Sequence, residues 1–195
     1  MTSRRIITLR KPTWRAWGLF WLVFLAFPPP ARSADIDAQD FSLSDIPTVT
    51  LITQAGRAVR FPQDFRDHRY LLFTFIYTSC KESCPLLTAI FAAVQREREP
   101  TPESLRLVSI SVDPERDTPS VLRAYAQRHG ADVRSWTFLT GRRQDIDQVT
   151  RSLGVFSAHA AGHQPRIFLW DQRQGNGMKF SGLVPPGRLL SEMAP

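Results

Sequence analysis

The two cysteines are the residues best suited to chemistry, and the 195-residue chain has no others. Cys80 and Cys84 lie in the segment 77–85, whose sequence is YTSCKESCP. A strongly apolar run, residues 70–77, leads into this segment and predicts a buried strand, while the amphipathic run 86–95 predicts a helix. Pro85 suits the first helical position, because its missing N–H would have no partner there. The pattern therefore predicts a strand, a short exposed loop and a helix, with both sulfurs at or just before the helix N-terminus.

A helix N-terminus favours the thiolate over the thiol, because the helix dipole is positive at that end. If the loop is wound helically, a spacing of four residues places the Cβ atoms of Cys80 and Cys84 about 5–6 Å apart. Such a pair can bind one metal ion, or close a disulfide after modest movement. A structural disulfide gains most by closing a long loop, and this one would close a very short loop. The spacing therefore favours a functional pair over a structural one.

Two kinds of chemistry remain open for this pair. In the first, the two thiols exchange electrons with another dithiol. In the second, they bind a soft metal such as Cu(I) or zinc, which needs a further ligand, and imidazole suits both metals. Of the four histidines, His68 lies in a polar loop where solvation is expected, and His129 ends a predicted helix before a glycine. His159 and His163 lie in the loop 158–165, and their spacing alone does not choose between them.

The basic character of the chain belongs to its N-terminus. The formal net charge is +7, but residues 1–33 carry six basic side chains and no acidic one, which leaves 19 basic against 18 acidic residues in the remainder. Nothing in that remainder indicates nucleic-acid binding. The order of a basic stretch, an uncharged run over 16–27 and small residues near position 33 predicts a signal peptide over 1–33, with an uncleaved membrane anchor as the alternative. Either predicts a periplasmic or other extracytoplasmic domain, where a cysteine pair can oxidise.

The remaining pattern alternates strands and helices after an exposed lead-in over 34–47 and an N-terminal β-hairpin. Strands are predicted over 48–53, 58–61, 70–77, 105–112, 136–139, 166–171 and 178–181. Helices are predicted over 86–95, 119–129, 142–153 and after Pro186, the first with an apolar stripe of Leu86, Leu87, Ile90, Phe91 and Val94. This order predicts an α/β domain over 48–195 with a thioredoxin-like fold: a central mixed sheet flanked by helices, with the hairpin as an extra element. Cys80 would lie at the carboxyl end of the first central strand, where sites of such sheets are found.

Several motifs in this order resemble those of one known family. Residues 75–85 (FIYTSCKESCP) are similar to an FxYTxCxxxCP signature, and residues 109–119 (SISVDPERDTP) closely resemble an SVDPxRDTP segment. Residues 136–141 (WTFLTG) are similar to a WxxLTG segment, and His163 stands five residues before Phe168, as in an HxxxxYL strand entry. From about residue 49 to 190 the chain resembles the SCO/SenC copper chaperones of cytochrome c oxidase assembly.

The resemblance implies a copper site and a partner. It implies one copper per chain, Cu(I) or Cu(II), held by Cys80, Cys84 and His163. The copper would be delivered to the binuclear copper centre on subunit II of cytochrome c oxidase, or the chain would keep the cysteines of that centre reduced. The alternatives are a thiol–disulfide oxidoreductase that uses Cys80 and Cys84 as its redox pair, and a redox or copper sensor. Because the same sulfurs serve both purposes, copper binding and disulfide formation should exclude each other.

The chain departs from the family pattern at three places and is therefore expected to be a divergent member. Lys81 replaces the usual proline after the first cysteine, Gly162 replaces an aspartate before the histidine, and residues 171–177 form an expanded turn. Asp113 and Asp117 are interpreted as turn and helix-start residues rather than catalytic acids.

Overall fold

The computed structural model describes residues 38–97 and 104–193, which form one eight-stranded mixed sheet with helices on both faces. The strands are β1 (Ala38–Phe41), β2 (Val49–Thr53), β3 (Ala58–Phe61), β4 (Tyr70–Ile76), β5 (Leu105–Ser111), β6 (Trp136–Thr140), β7 (Arg166–Asp171) and β8 (Asn176–Ser181). The helices are α1 (Ser83–Glu97), α2 (Pro119–Arg128), α3 (Arg143–Ser152) and α4 (Pro186–Glu192). The spatial order of the strands is β1-β8-β7-β4-β5-β6-β2-β3.

The centre of the sheet consists of β4, β5 and β6, which are parallel, and of β7, which is antiparallel to β4. Every residue of β4 is buried, as expected for a strand covered on both faces. Its side chains alternate between two apolar clusters: Leu72 packs with residues of α1, α2 and α4, and Phe73 packs with residues of α3 and the β2–β3 hairpin. The predicted α/β architecture, with a mixed sheet flanked by helices and an N-terminal hairpin, is confirmed.

The start of the second helix follows from its local sequence. The hydroxyl of Thr118 accepts a hydrogen bond from the N–H of Val121, and Pro119 is the first helical residue. The helix ends at Arg128, and Gly130 adopts a φ of +64°, a conformation that favours glycine. This helix follows β5 directly, so its start lies at the same sheet edge as the cysteine loop.

The first helix begins earlier than predicted. Because α1 starts at Ser83, Pro85 is the third helical residue rather than the first, which still leaves it in the turn whose N–H groups have no helical acceptor. Leu87 is buried, but Leu86 is 52% exposed and does not belong to the buried stripe. Adjacent helical residues point about 100° apart, so only one of these two leucines can face the sheet.

The lead-in, predicted to be exposed over 34–47, is partly buried in its described part, residues 38–47. The expectation of an exposed lead-in was therefore wrong. β1 pairs in antiparallel fashion with β8, and Leu43 and Ile46 are buried in the α3-side cluster. The pairing partner lies some 140 residues further along the chain, which no local pattern reveals. The predicted signal peptide or anchor over 1–33 lies outside the described residues. Within 38–97 and 104–193, no helix is long and apolar enough to span a membrane.

Candidate functional site

The cysteine loop begins where β4 ends, at the carboxyl edge of the three parallel strands. The N–H of Cys80 donates to the carbonyl oxygen of Tyr77 over 3.2 Å, which closes a tight turn over residues 77–80. The loop then enters α1 at Ser83. The predicted strand, loop and helix arrangement around the cysteines is therefore present, with Cys80 in the loop and Cys84 in the first helical turn.

The structure brings the two cysteines together as free thiols with unequal exposure. The backbone N–H of Cys84 donates to Sγ of Cys80 over 3.5 Å. Cys84 is only 2% exposed and packs within the cluster beneath α1, whereas Cys80 is partly exposed at the edge of that cluster. An incoming molecule therefore meets Cys80 first.

The surroundings of the two thiols drive their pKa values apart. Burial alone raises the pKa of Cys80, but hydrogen bonds from the backbone N–H and thiol of Cys84, the N–H of Glu82 and the hydroxyl of Tyr77 together lower it to about 7. For Cys84, burial is the largest cause and raises the pKa to about 12, with a further increase from the neighbouring Cys80. At neutral pH, Cys80 is thus substantially ionised and Cys84 keeps its proton.

Tyr77 connects the cysteine loop to both apolar clusters, against which its side chain packs. Its hydroxyl donates to Cys80, and this bond, followed by burial, raises the pKa of Tyr77 to about 12. The phenol therefore remains a hydrogen-bond donor to the Cys80 thiolate at any ordinary pH. Sequence reasoning treated Tyr77 only as the end of a strand, since nothing in its spacing indicates this contact.

His163 is buried, and one of its two ring nitrogens is unpaired. The side chain is 9% exposed, its ring contacts that of Phe75 edge-on with a centroid distance of 5.8 Å, and its Nε2 atom has no hydrogen-bond partner among the described residues. Burial, followed by the positive charge of Arg166, lowers its pKa to about 4. A buried, neutral ring nitrogen without a partner is costly unless it has a further use, such as accepting a metal ion.

Gly162 permits the close packing of the loop that carries His163. A Cβ atom at position 162 would lie 2.6 Å from Oγ of Ser157, whose hydroxyl donates to the carbonyl oxygen of His159. An aspartate at this position would therefore require Ser157 to move. The absence of a side chain at Gly162 therefore allows the loop to approach Ser157 closely.

The structure does not preassemble a three-ligand site from the predicted residues. Within the part of the chain that the structure describes, no group of three or more His, Cys, Asp and Glu side chains is arranged to hold a metal ion. His159 borders an open groove of about 540 Å³ that Tyr77 and Ser79 also line, and His159 and His163 both line a small neighbouring cavity next to α3. The cysteine pair is assembled, and residues 158–161 of the histidine loop line the same groove as Tyr77 and Ser79 of the cysteine loop.

The two remaining histidines have structural partners. His68 was expected to be solvated, but it is buried. Its Nε2 accepts a hydrogen bond from Nε of Arg106 over 2.8 Å, which satisfies the ring nitrogen. His129 packs against the ring of Tyr125 at a centroid distance of 4.3 Å. Neither residue contributes to the cysteine loop.

The donor set suits a soft metal ion by its chemistry. Cys80 supplies a thiolate at neutral pH, Cys84 supplies a second sulfur beside it, and His163 supplies a neutral nitrogen that no protein group occupies. Two thiolates with an imidazole are ligands that Cu(I) accepts readily. The residues thus fit copper, although the imidazole must move to join the sulfurs.

Comparison with known proteins places these features in a family. The sequence model of the SCO1/SenC family matches residues 42–193, which include both cysteines and His163. The chain belongs to the SCO1/SenC family. A SCO2 homologue from bovine mitochondria is 35% identical over 142 residues, which are 72% of this chain and 48% of the bovine protein. The chain spans between 38% and 52% of the length of the first curated relatives that it matches.

Solved SCO1/SenC structures share the fold. A family lipoprotein from Bacillus anthracis is 27% identical with a TM-score of 0.66, over 76% of this chain and 92% of that protein. The protein BsSco is described as a member of the Sco family of cytochrome c oxidase assembly proteins, with a disulfide switch. It is 25% identical with a TM-score of 0.66, over 80% of this chain and 94% of that protein. Arabidopsis thaliana ScoI, solved with copper bound, is 22% identical with a TM-score of 0.62, over 75% of this chain and 93% of that protein. This similarity supports the fold alone. The predicted thioredoxin-like fold and family membership are confirmed.

Proposed function

We propose that this protein is a copper chaperone that delivers copper to the binuclear copper centre on subunit II of cytochrome c oxidase. Each chain carries one copper ion, held by Cys80, Cys84 and His163. The observation that supports this most strongly is the contact between the Cys84 N–H and the Cys80 sulfur at the start of α1, which keeps two soft ligands side by side. Two relatives also support it: BsSco is described as a member of the Sco family of cytochrome c oxidase assembly proteins, and a relative from Stutzerimonas stutzeri is described as a putative copper-binding protein.

Each ligand has its own part in loading. Cys80 is about half ionised at pH 7 and is the more accessible sulfur, so it meets Cu(I) first. Cys84 then gives up its proton, because the cation replaces that proton as the partner of the sulfur. His163 needs no deprotonation above about pH 5, because its pKa is about 4. Loading therefore releases one proton from Cys84, together with the proton of any Cys80 thiol not yet ionised.

Release to the partner follows from the limited number of ligands. Two sulfurs and one nitrogen leave room for a cysteine of the partner to approach the ion. The partly exposed Cys80 lies on the side from which the partner arrives, and the buried Cys84 is the ligand that stays covered. Copper can therefore pass from one set of thiolates to another without becoming free in solution.

The second candidate function is thiol–disulfide exchange, which the unequal pKa values of the two cysteines favour. The Cys80 thiolate would attack a disulfide of the partner, form a mixed disulfide and displace one partner thiolate. Cys84 would then lose its proton and attack Cys80, which releases the second partner thiolate and leaves a Cys80–Cys84 disulfide. Two electrons pass to the partner, whose cysteines are then ready to bind copper. A redox or copper sensor that uses the same pair is the third possibility.

The proposed location is the periplasm or another extracytoplasmic compartment, with the domain either released or anchored to the membrane through its N-terminus. The basic and apolar pattern of residues 1–33 supports export, and one solved relative is described as a lipoprotein. The partner would be subunit II or another copper or thiol protein in that compartment.

A transfer experiment tests the chaperone proposal against the alternative. The reduced, copper-loaded full chain is mixed with the copper-free soluble domain of subunit II, once with its cysteines reduced and once with them oxidised. We expect the visible absorption of the binuclear centre to appear with the reduced partner, and to be lost when the donor carries Cys84→Ser. If instead the metal-free dithiol reduces the oxidised partner while the loaded chain transfers no copper, the chaperone proposal is wrong and the oxidoreductase stands.

A further inference from the structure

A buried carboxylate, Asp117, connects the loop after β5 to the cysteine loop. Asp117 is 1% exposed and accepts three hydrogen bonds. The backbone N–H of Thr78 donates to Oδ2 over 3.0 Å, the hydroxyl of Thr78 donates to Oδ1 over 2.5 Å, and the hydroxyl of Ser111 donates to Oδ2 over 2.6 Å. Two of the three donors thus belong to one residue of the cysteine loop, 39 positions earlier in the chain.

The loop that contains Asp117 does not require these two bonds for its own shape. The backbone N–H groups of Arg116 and Asp117 both donate to the carbonyl oxygen of Asp113, and the N–H of Asp113 donates to the hydroxyl of Ser111. Thr118 caps α2 with its own hydroxyl. Among the described residues, no ion pair links Asp117 to a cationic side chain. Burying a carboxyl group is costly unless its oxygens accept hydrogen bonds, so the donors of Thr78 have a large part in holding it there.

Thr78 lies in the turn that sets the direction of the cysteine loop. It is the second residue of the turn that the bond from the Cys80 N–H to the Tyr77 carbonyl closes. Asp117 accepts hydrogen bonds from both the backbone N–H and the hydroxyl of Thr78, and a third from Ser111 at the end of β5. These bonds connect the turn to the end of that strand. The Cys80 sulfur then lies where the Cys84 N–H reaches it.

We propose that Asp117 is a positioning residue for Cys80: through its two bonds to Thr78 it holds the turn that presents the Cys80 sulfur beside Cys84. The inference deepens the proposed function, because the same pair of sulfurs serves copper and thiol chemistry. It goes beyond the interpretation of Asp117 as a turn residue, since it assigns the carboxylate an effect on a cysteine of a different loop.

Replacing Asp117 by asparagine isolates this effect, because the size is conserved while one acceptor oxygen becomes an N–H₂ donor. Oδ2 accepts from both the Thr78 N–H and the Ser111 hydroxyl, and the Thr78 hydroxyl can accept as well as donate, so the amide keeps its contacts with Thr78 but loses the charge that strengthens them. Charge-assisted hydrogen bonds are roughly twice as strong as neutral ones, so weakening the two bonds to Thr78 together should change the equilibrium of the turn about tenfold. We therefore expect the effective concentration of the Cys80 sulfur at Cys84 to fall about tenfold.

The equilibrium with glutathione measures that concentration without copper. In it, the Cys80–Cys84 disulfide and two glutathione thiols exchange to give the dithiol and one glutathione disulfide, with two electrons passing to the chain. For the full chain with Asp117→Asn we expect the equilibrium to favour the dithiol about tenfold more than in the unchanged chain, which corresponds to about 30 mV in reduction potential. Asp145→Asn is the matched control, because Asp145 is also buried, accepts its bonds from Arg142 and has no contact with the cysteine loop.

The outcomes separate this inference from the proposed function. An unchanged glutathione equilibrium in a folded Asp117→Asn chain, with urea unfolding showing a stability loss similar to that of Asp145→Asn, would overturn the positioning role. If Asp117→Asn does not fold, Thr78→Val removes only the hydroxyl bond and should shift the equilibrium by a smaller factor in the same direction; no shift would overturn the inference. If the shift appears but the unchanged chain transfers no copper, the proposed function fails and the positioning role stands.

Discussion

The clearest quantitative prediction concerns the pH dependence of Cys80 alkylation. Its pKa lies at about 7 instead of the ordinary 9.0, because hydrogen bonds from its neighbours outweigh the effect of burial. At pH 7, about half of the Cys80 sulfur is then thiolate, against about 1% for an ordinary thiol. A lower pKa also makes each thiolate less nucleophilic, by about six- to tenfold over two units. The net expectation is that Cys80 reacts about fivefold faster than an unperturbed cysteine at pH 7.

The assay compares the full reduced chain with a peptide of residues 77–85 that carries Cys84→Ser. Both react with excess iodoacetamide between pH 5 and 9.5, and mass spectrometry identifies the alkylated cysteine at each time point. In the folded chain the rate should level off just above pH 7 and all early product should be at Cys80, because Cys84 is buried and has a pKa of about 12. The peptide should continue to accelerate up to pH 9.

Two results would refute this reasoning. If the rate at Cys80 follows the peptide and still rises between pH 8 and 9.5, the hydrogen bonds do not stabilise its thiolate. If Cys84 is alkylated as fast as Cys80, the difference in burial and pKa between the two cysteines is not present in solution.

Further predictions concern the tyrosine, the histidine and the core. Tyr77→Phe removes a hydrogen bond to the Cys80 thiolate and should raise the pKa of Cys80 by about one unit in the same alkylation assay. Because the pKa of buried His163 is about 4 instead of 6.5, the unfolded chain binds more protons between these values, and the free energy of unfolding should fall by about 3 kcal/mol as the pH drops from about 6.5 to 4. Urea unfolding should show that His163→Ala removes this part of the pH dependence, and an unchanged slope would contradict the assignment. Phe73→Ala should cost about 3–5 kcal/mol in urea unfolding, because Phe73 is fully buried and stacked on Phe168, and a loss below 1 kcal/mol would contradict that packing.

The sequence predicts local structure well where the signal is local. The strand, loop and helix around Cys80 follow from a continuous apolar run, a polar loop and an amphipathic run, all within 30 residues. The cap at Thr118 follows from the preference of threonine and proline for the start of a helix. Two adjacent leucines in α1 were less informative, because periodicity does not decide which of Leu86 and Leu87 faces the sheet.

Features that depend on distant residues could not be predicted. The pairing of β1 with β8, the bond between Arg106 and His68 and the bonds from Thr78 to Asp117 join parts of the chain that no local pattern relates. The same limit applies to the candidate site. The spacing of the cysteines predicts their pairing, but the position of His163 depends on its contacts with Phe75 at the end of β4 and with the backbone of Val155 after α3.

The most direct test of the central claim is an anaerobic Cu(I) titration of the reduced full chain against a competing chelator. The Cys80→Ser, Cys84→Ser, His163→Ala and His159→Ala variants are titrated beside it. We predict one tight copper ion per chain, lost with either serine variant, weakened by His163→Ala and retained with His159→Ala. No binding beyond that of the serine variants would contradict the copper site itself. Weakening by His159→Ala but not by His163→Ala would show that the ligand is the histidine that borders the groove.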